Sequence, residues 1–215
     1  MTVIEALIAV GFLFLLLEIL VVPGACHNIT AENVESAKSH ISGADLLMVQ
    51  MEVNMDATYA AMKTAYDNGV EIIFNPAPAQ KIADDIYPMI SYITPNETEA
   101  EILTGLKTDS MENIKKAADW LFNKGVKNVI ITLGSDGVYV KNNNLETIVP
   151  SYKVKAVDTT GAGDAFNGCL AVALMEGMDI ISATKFANAG AALSVTKIGT
   201  APAMAFREEI NNFIK

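Results

Sequence analysis

Basic side chains are scarce in this sequence: 15 lysines and arginines stand against 25 aspartates and glutamates, a formal charge of −10. Nucleic acid and anionic membrane surfaces both attract a basic face, so neither is expected as a partner. A small phosphorylated ligand stays open, because the free N–H groups of a helix start bind phosphate without net positive charge. Cysteine is equally scarce. Cys26 and Cys169 lie far apart with no Cys-x-x-Cys spacing, which leaves no disulfide framework or zinc site to read and makes a reducing cytoplasm the default location. His27 and His40 have no partners at ligand spacing and are expected in loops or on the surface. Two nucleotide patterns are also missing. No G-x-x-x-x-G-K-[ST] loop occurs, and "GAGDAF" lacks the third glycine of the dinucleotide fingerprint.

One long apolar run is present, "ALIAVGFLFLLLEILVV" at 6–22, broken only by Glu18. It falls just short of the roughly 18 or more uncharged residues of a membrane span, and no Lys or Arg precedes it to make a signal peptide. A buried helix or strand pair, the altered start of a longer gene, and a membrane anchor all remain open. The expectation is that 6–22 packs on a sheet edge or stays poorly ordered, because a charge near a bilayer centre costs about 3 kcal/mol. Residues 1–22 are therefore set apart from a single domain over 23–215.

From Pro23 onward, strand and helix patterns alternate. "TAENVESAKSHIS" reads as a helix with Thr30 as N-cap, and "DLLMVQM" as a buried strand. "MDATYAAMKTAYDNG" is a helix closed by Asn68-Gly69. "VEIIFNPAP" is a strand ended by prolines, "SYITPNETEAEILTG" a short strand and a helix, and "SMENIKKAADWLFNKG" a helix. "VKNVIITLGSDG" is a strand and turn, and "GVYVKNNNLETIVP" a hairpin with an Asn-rich turn. Three helical segments close the chain. This alternation predicts an α/β fold with a mainly parallel central sheet and helices on both faces. Ligands in such folds bind beyond the carboxyl ends of the strands, where "NPAP", "TPNETE", "TLGSDG" and "DTTGAGD" all fall.

The densest of these is "DTTGAGDAFNG", from Asp158 to Gly168. Gly161, Ala162 and Gly163 let a ligand approach the backbone, and a helix start follows at once, which suits phosphate. Asp164 is unexpected beside an anion; on its own it reads equally well as a helix cap.

"DTTGAGDAFNG" resembles the C-terminal signature of the ribokinase-like (PfkB) carbohydrate kinases. "VVPGA", "NPAPAQ", "TPNETEAEILTG", "VIITLGSDGV" and "FANAGAALSVTKIGTAPA" extend the resemblance in order from about Val21 to the C-terminus, and lie nearest the ribose-phosphorylating members. The resemblance implies a three-layer α/β/α fold and transfer of the γ-phosphate of ATP to a sugar hydroxyl, here the 5-hydroxyl of ribose. Asp164 would be the base that takes the proton of the attacking hydroxyl. A helix N-terminus keeps such a carboxylate ionised, and phosphoryl transfer needs positioning and charge stabilisation above all. The amides of Ala162, Gly163 and Asp164, entered through Gly161, would form the anion hole.

Other residues follow from the same resemblance. Thr132, Gly134, Ser135 and Gly137 match the nucleotide loop, and Asn188 a position beside adenine; a plain turn and a solvated helix face are the alternatives. Asn96 and Glu99 match an Asn-x-x-Glu associated with phosphate and Mg2+, although the same spacing makes a capping box. Asp158 and Thr160, with backbone oxygens of Ser194, Lys197 and Gly199, match a monovalent cation site. Ala203 stands where a serine hydroxyl is expected, which puts K+ in question. Glu52 matches a sugar-contacting acid.

Family members place a further segment before the part matched here, with a Gly-Gly and Asn/Asp-rich sugar pocket and a small β lid that usually forms the dimer contact. None of its motifs occurs in this sequence. The expectation is a complete nucleotide half and an incomplete sugar half, which keeps a non-catalytic nucleotide-binding protein open beside a sugar kinase.

Overall fold

The computed structural model describes residues 24–215. The apolar run at 6–22, and the expectation made for it, lie outside the described residues. Six strands form one sheet in the order β1 to β6: Leu46–Val49, Glu71–Phe74, Tyr92–Ile93, Asn128–Thr132, Val138–Asn142 and Glu146–Val149. β1 to β4 run parallel, and β5 and β6 are added antiparallel at the far side. Among the described residues no strand stands outside this sheet, and no helix is long and apolar enough to cross a membrane.

Alternation along the strands produces the three layers. Successive side chains of a strand point to opposite faces. Ile72, Phe74, Val129, Ile131 and Tyr139 therefore enter one core, while Ile73, Ile130, Val138 and Val140 enter the other. The first core is closed by α3 (Met55–Asp67), α4 (Glu97–Thr104) and α5 (Met111–Asn123), through residues such as Met62, Ala65, Leu103 and Leu121. The second is closed by α6 (Ala162–Met175), α7 (Ile180–Ser194) and α8 (Arg207–Phe213), through Phe166, Leu170, Phe186 and Ile210. α6 and α7 pack so closely that a Cβ on Gly190 would lie 2.3 Å from Cys169 Sγ. The expected α/β/α architecture is the observed one.

Two local expectations need correction. "TAENVESAKSHIS" is not one helix but two, α1 (Ala31–Ser36) and α2 (Lys38–Ser42). Thr30 caps α1 as expected, accepting from Asn33 N. The chain leaves helical geometry at Ala37, just after the Ser36 hydroxyl donates back to the Glu32 carbonyl at 3.0 Å; such bonds bend helices. β1 is also not buried. It is the edge of the described sheet, and Met48 is 46% exposed. The hairpin behaves as expected: Asn142 Oδ1 accepts from Asn144 N and Leu145 N at 2.8 and 3.0 Å, the side-chain turn that asparagine favours.

Candidate active site

Parallel strands leave their carboxyl ends on one edge, and each of β1 to β4 finishes there in a polar residue. Gln50 follows β1, Asn75 follows β2, Thr94 follows β3, and Thr132 is the last residue of β4. The amino end of α6 faces this row. Two hollows flank it, one of about 610 Å³ and one of about 220 Å³. They share Thr132, Thr159, Ala162, Gly163 and Phe166, so the first turn of α6 stands where they meet.

The larger hollow collects most of the residues expected to hold a nucleotide. Thr132, Gly134, Ser135, Gly137 and Asn188 all line it. Residues 134–136 form a single 3-10 turn between β4 and β5. Gly137 ends that turn at φ 105°, and a Cβ there would lie 2.2 Å from the Val149 carbonyl oxygen. Only glycine allows the loop to pass the end of β6 so closely. Asn188 is not on a solvated helix face. It is buried on α7, and its Nδ2 donates to the carbonyls of Val149 and Pro150 at 3.4 and 3.2 Å, pinning the segment that walls the hollow.

The smaller hollow holds the acidic residues. Asp164, Glu52, Asn96 and Glu99 line it. Asp164 is exposed in the first turn of α6, and its Oδ1 accepts from Gln50 Nε2 at 3.1 Å. Asn96 lies here rather than in the larger hollow, but it bridges to Thr132 at the boundary. Asn96 and Glu99 do form a capping box: Asn96 Oδ1 accepts from Glu99 N, and Glu99 Oε2 accepts from Asn96 N, both at 2.8 Å. Burial pushes the Glu99 carboxyl up, and the bond from Asn96 opposes that shift. Glu99 Oε1 has no hydrogen bond among the described residues, so capping uses only half of the carboxylate.

The α6 N-terminus is narrower as an anion site than the sequence suggests. The Ala162 amide already donates to the Thr159 carbonyl at 3.2 Å. It closes the turn at Gly161, whose φ of 78° needs glycine. The amides of Gly163 and Asp164 make no hydrogen bond among the described residues, and no side chain caps this helix. These two donors remain for an anion.

The expected cation ligands sit apart from both hollows. Asp158 Oδ1 accepts from Thr160 N at 3.0 Å, and Oδ2 from Gly199 N at 2.9 Å. These amides hold the carboxyl below the usual carboxylate range. The Ser194 carbonyl accepts from Lys197 N at 3.3 Å. Ala203, in the turn Ala201–Ala203, is buried and apolar. Here Asp158 ties two loops together. Among the described residues no group of three or more His, Cys, Asp or Glu side chains is placed to hold a metal.

Four residues of the site were not assigned a role from the sequence: Gln50, Asn75, Thr94 and Asn167. All four line the smaller hollow. For Gln50, Asn75 and Thr94 the signal was a polar residue directly after each apolar strand, in "LLMVQ", "EIIFN" and "SYIT"; Asn167 lies inside α6, a polar residue in an otherwise apolar helix.

An α/β sheet whose strand ends face an uncapped helix between two adjoining hollows is an arrangement that can hold a phosphorylated ligand. Residues 17–206 match the family described as pfkB family carbohydrate kinase. A ribokinase of Haemophilus influenzae is 39% identical over 92% of this chain, and a deoxyribokinase of Salmonella typhi is 37% identical over 91%. The structure of an Arabidopsis thaliana ribokinase complexed with ribose and ATP superposes with a TM-score of 0.81 at 29% identity. That superposition covers 84% of this chain and 59% of the plant protein. The chain belongs to the pfkB family of carbohydrate kinases. It spans 64% of the length of each of the two bacterial relatives.

Proposed function

We propose that this chain binds ATP in the larger hollow and transfers its γ-phosphoryl group to the 5-hydroxyl of ribose, with Asp164 as the base. The observation that carries the reading is the meeting of the two hollows on the first turn of α6. A nucleotide of ordinary size fits a cavity of about 610 Å³. Its terminal phosphate reaches the shared wall, where the free Gly163 and Asp164 amides take up the charge that develops on the phosphoryl oxygens. The sugar occupies the smaller hollow beside Glu52, and its hydroxyl gives its proton to Asp164 as the new P–O bond forms and the bond to ADP breaks.

Mg2+ fits this arrangement as a companion of the nucleotide. It prefers one or two carboxylates plus phosphates and water over an all-protein cage, and Glu99 supplies a carboxylate beside the smaller hollow. Glu99, with one oxygen uncommitted, is the residue to orient it, and Asn96 holds Glu99. A monovalent cation at Asp158, Thr160 and the backbone oxygens of Ser194, Lys197 and Gly199 would steady the loop that enters α6. Cys26 and Cys169 are free, which supports a reducing, cytoplasmic setting.

The test is Asp164→Asn, which keeps the shape and removes the proton acceptor. Phosphorylation of ribose should fall by about 10² to 10⁴, while nucleotide affinity stays within a few fold, because backbone amides and loop residues bind the nucleotide. 2-Deoxyribose belongs in the same assay, given the deoxyribokinase relative. An Asn variant that works at the unmutated rate refutes the role of Asp164. Nucleotide binding by the unmutated protein with no transfer to either pentose leaves the non-catalytic reading standing instead.

A further inference from the structure

The first turn of α6 is tied to the ends of β1, β2 and β3 by one continuous run of hydrogen bonds. Gln50 Nε2 donates to Asp164 Oδ1 at 3.1 Å and to Asn75 Oδ1 at 3.4 Å. Asn75 Nδ2 donates to the Thr94 carbonyl at 3.0 Å. The Thr94 hydroxyl donates to Asn167 Oδ1 at 2.7 Å, and Asn167 Nδ2 donates to the Gly163 carbonyl at 2.9 Å. The run leaves the helix at Asp164 and re-enters it at Asn167, whose side chain then bonds within the helix to the Gly163 carbonyl. Asn75, Thr94 and Asn167 are 8%, 2% and 4% exposed, so each is held where an unmet polar group costs most.

The direction of every bond is fixed. Asn75 must present its oxygen to Gln50, because its amide nitrogen is committed to the Thr94 carbonyl. Both amide hydrogens of Gln50 are then used, one on Asn75 and one on Asp164. Gln50 cannot flip without losing both. Asp164 Oδ1 is occupied, and Oδ2 makes no hydrogen bond among the described residues. One oxygen is anchored and the other is left as the proton acceptor. The same run fixes Gly163, one of the two free amides.

We propose that Gln50 is a positioning residue for Asp164, and that the strand-end run holds the base and the anion-binding amides in one frame. The inference rests on the reading of Asp164 as the base and deepens it. Gln50 lines the smaller hollow but not the larger one, so this role needs no contact with the nucleotide. Its effect should therefore fall on turnover and act only through the Asp164 carboxylate.

The experiment is a cycle of four proteins: unmutated, Gln50→Leu, Asp164→Ala and the double variant. Gln50→Leu should lower kcat about 10- to 100-fold, the cost of a small misplacement of a reacting group, with KM for ATP essentially unchanged because Gln50 does not line the larger hollow. In the Asp164→Ala background the same change should cost nothing further. An unchanged kcat in Gln50→Leu, or an equal loss in both backgrounds, overturns the proposal. A second readout needs no turnover: the urea midpoints of the four proteins. The double variant should lose less than the sum of the single losses, because the Gln50–Asp164 bond is broken by either single change. Additive midpoints also overturn it. If the unmutated protein transfers no phosphoryl group, the proposed activity fails, and the midpoints still decide whether Gln50 holds Asp164.

Discussion

Gly137→Ala tests how tightly the nucleotide side of the site is built. Gly137 has φ 105° and ψ −137°, a region that residues with a side chain almost never enter, at a cost of about 1–3 kcal/mol. The added methyl would also lie 2.2 Å from the Val149 carbonyl oxygen and 2.9 Å from both Pro150 Cα and Ser151 N. All three are backbone atoms, so no side chain can swing aside. The end of β6 must retreat by about 1 Å to restore contact distance, and overpacking of this kind costs about 1–3 kcal/mol more. The sum is about 2–6 kcal/mol against a total stability of about 5–15 kcal/mol. With a urea slope of about 2 kcal/mol per molar, the midpoint should fall by about 1–3 M. The single tryptophan, Trp120, packs edge-on against Tyr87 with ring centroids 5.5 Å apart and reports the transition. Nucleotide affinity should fall as well, because residues 151–154 wall the larger hollow. A variant within about 0.5 kcal/mol of the unmutated protein, the ordinary range for a harmless surface change, would refute this account of the loop.

Gly163→Ala should behave in the opposite way. An added Cβ meets nothing within 4 Å, so the urea midpoint should hold or rise by up to about 1 kcal/mol of stability. The methyl stands in the wall shared by the hollows, so transfer should fall at least about 10-fold; unchanged turnover would refute it. Asp158→Asn should change the acid response. The folded-state carboxyl is lowered by the Gly199 and Thr160 amides, so its stabilisation is present above the unfolded value of about 3.9 and is lost as pH falls through the folded value. The urea midpoints of the Asn variant and the unmutated protein should differ at pH 7 and converge as pH falls through the unfolded value and then the lower folded one; a gap that stays constant into strong acid counts against it.

What could be read from the sequence was local or periodic. Strand and helix alternation gave the three layers, because a two-residue period and a buried helix stripe are set within a few residues. Asn96 and Glu99 were legible as a pair because i, i+3 is a neighbour spacing on a helix. The tie from Asp164 to Gln50 was not legible, since it joins positions 114 residues apart. No local pattern specifies that contact; it follows from which strands lie side by side. β1 was read as buried because an apolar run does not say whether a neighbouring strand exists on each side. The commitment of the Ala162 amide to Thr159 depends on one carbonyl turning inward at Gly161, a detail of loop geometry that residue types do not encode.

The beginnings of α4 and α6 show why cap and site need not be competing readings. α4 is capped by Asn96 and Glu99, and the cap uses one Glu99 oxygen and leaves the other without a hydrogen bond among the described residues. A capping bond of this kind stabilises by about 1 kcal/mol, and it fixes the position of a carboxylate that lines the smaller hollow. α6 takes the other course. Its N-cap position is Gly161, with no side chain to cap and with Thr200 Cγ2 3.1 Å from where a Cβ would be. A serine or aspartate cap is excluded there by both the backbone angle and the neighbour. The helix forgoes that stabilisation and keeps the Gly163 and Asp164 amides without a partner among the described residues, where the two hollows meet. Its first turn is held by Gln50 at Asp164 and, from one turn further along the same helix, by Asn167 at Gly163. A helix held in this way can keep its donors free without fraying, which is what binding a transferred phosphoryl group would require of it.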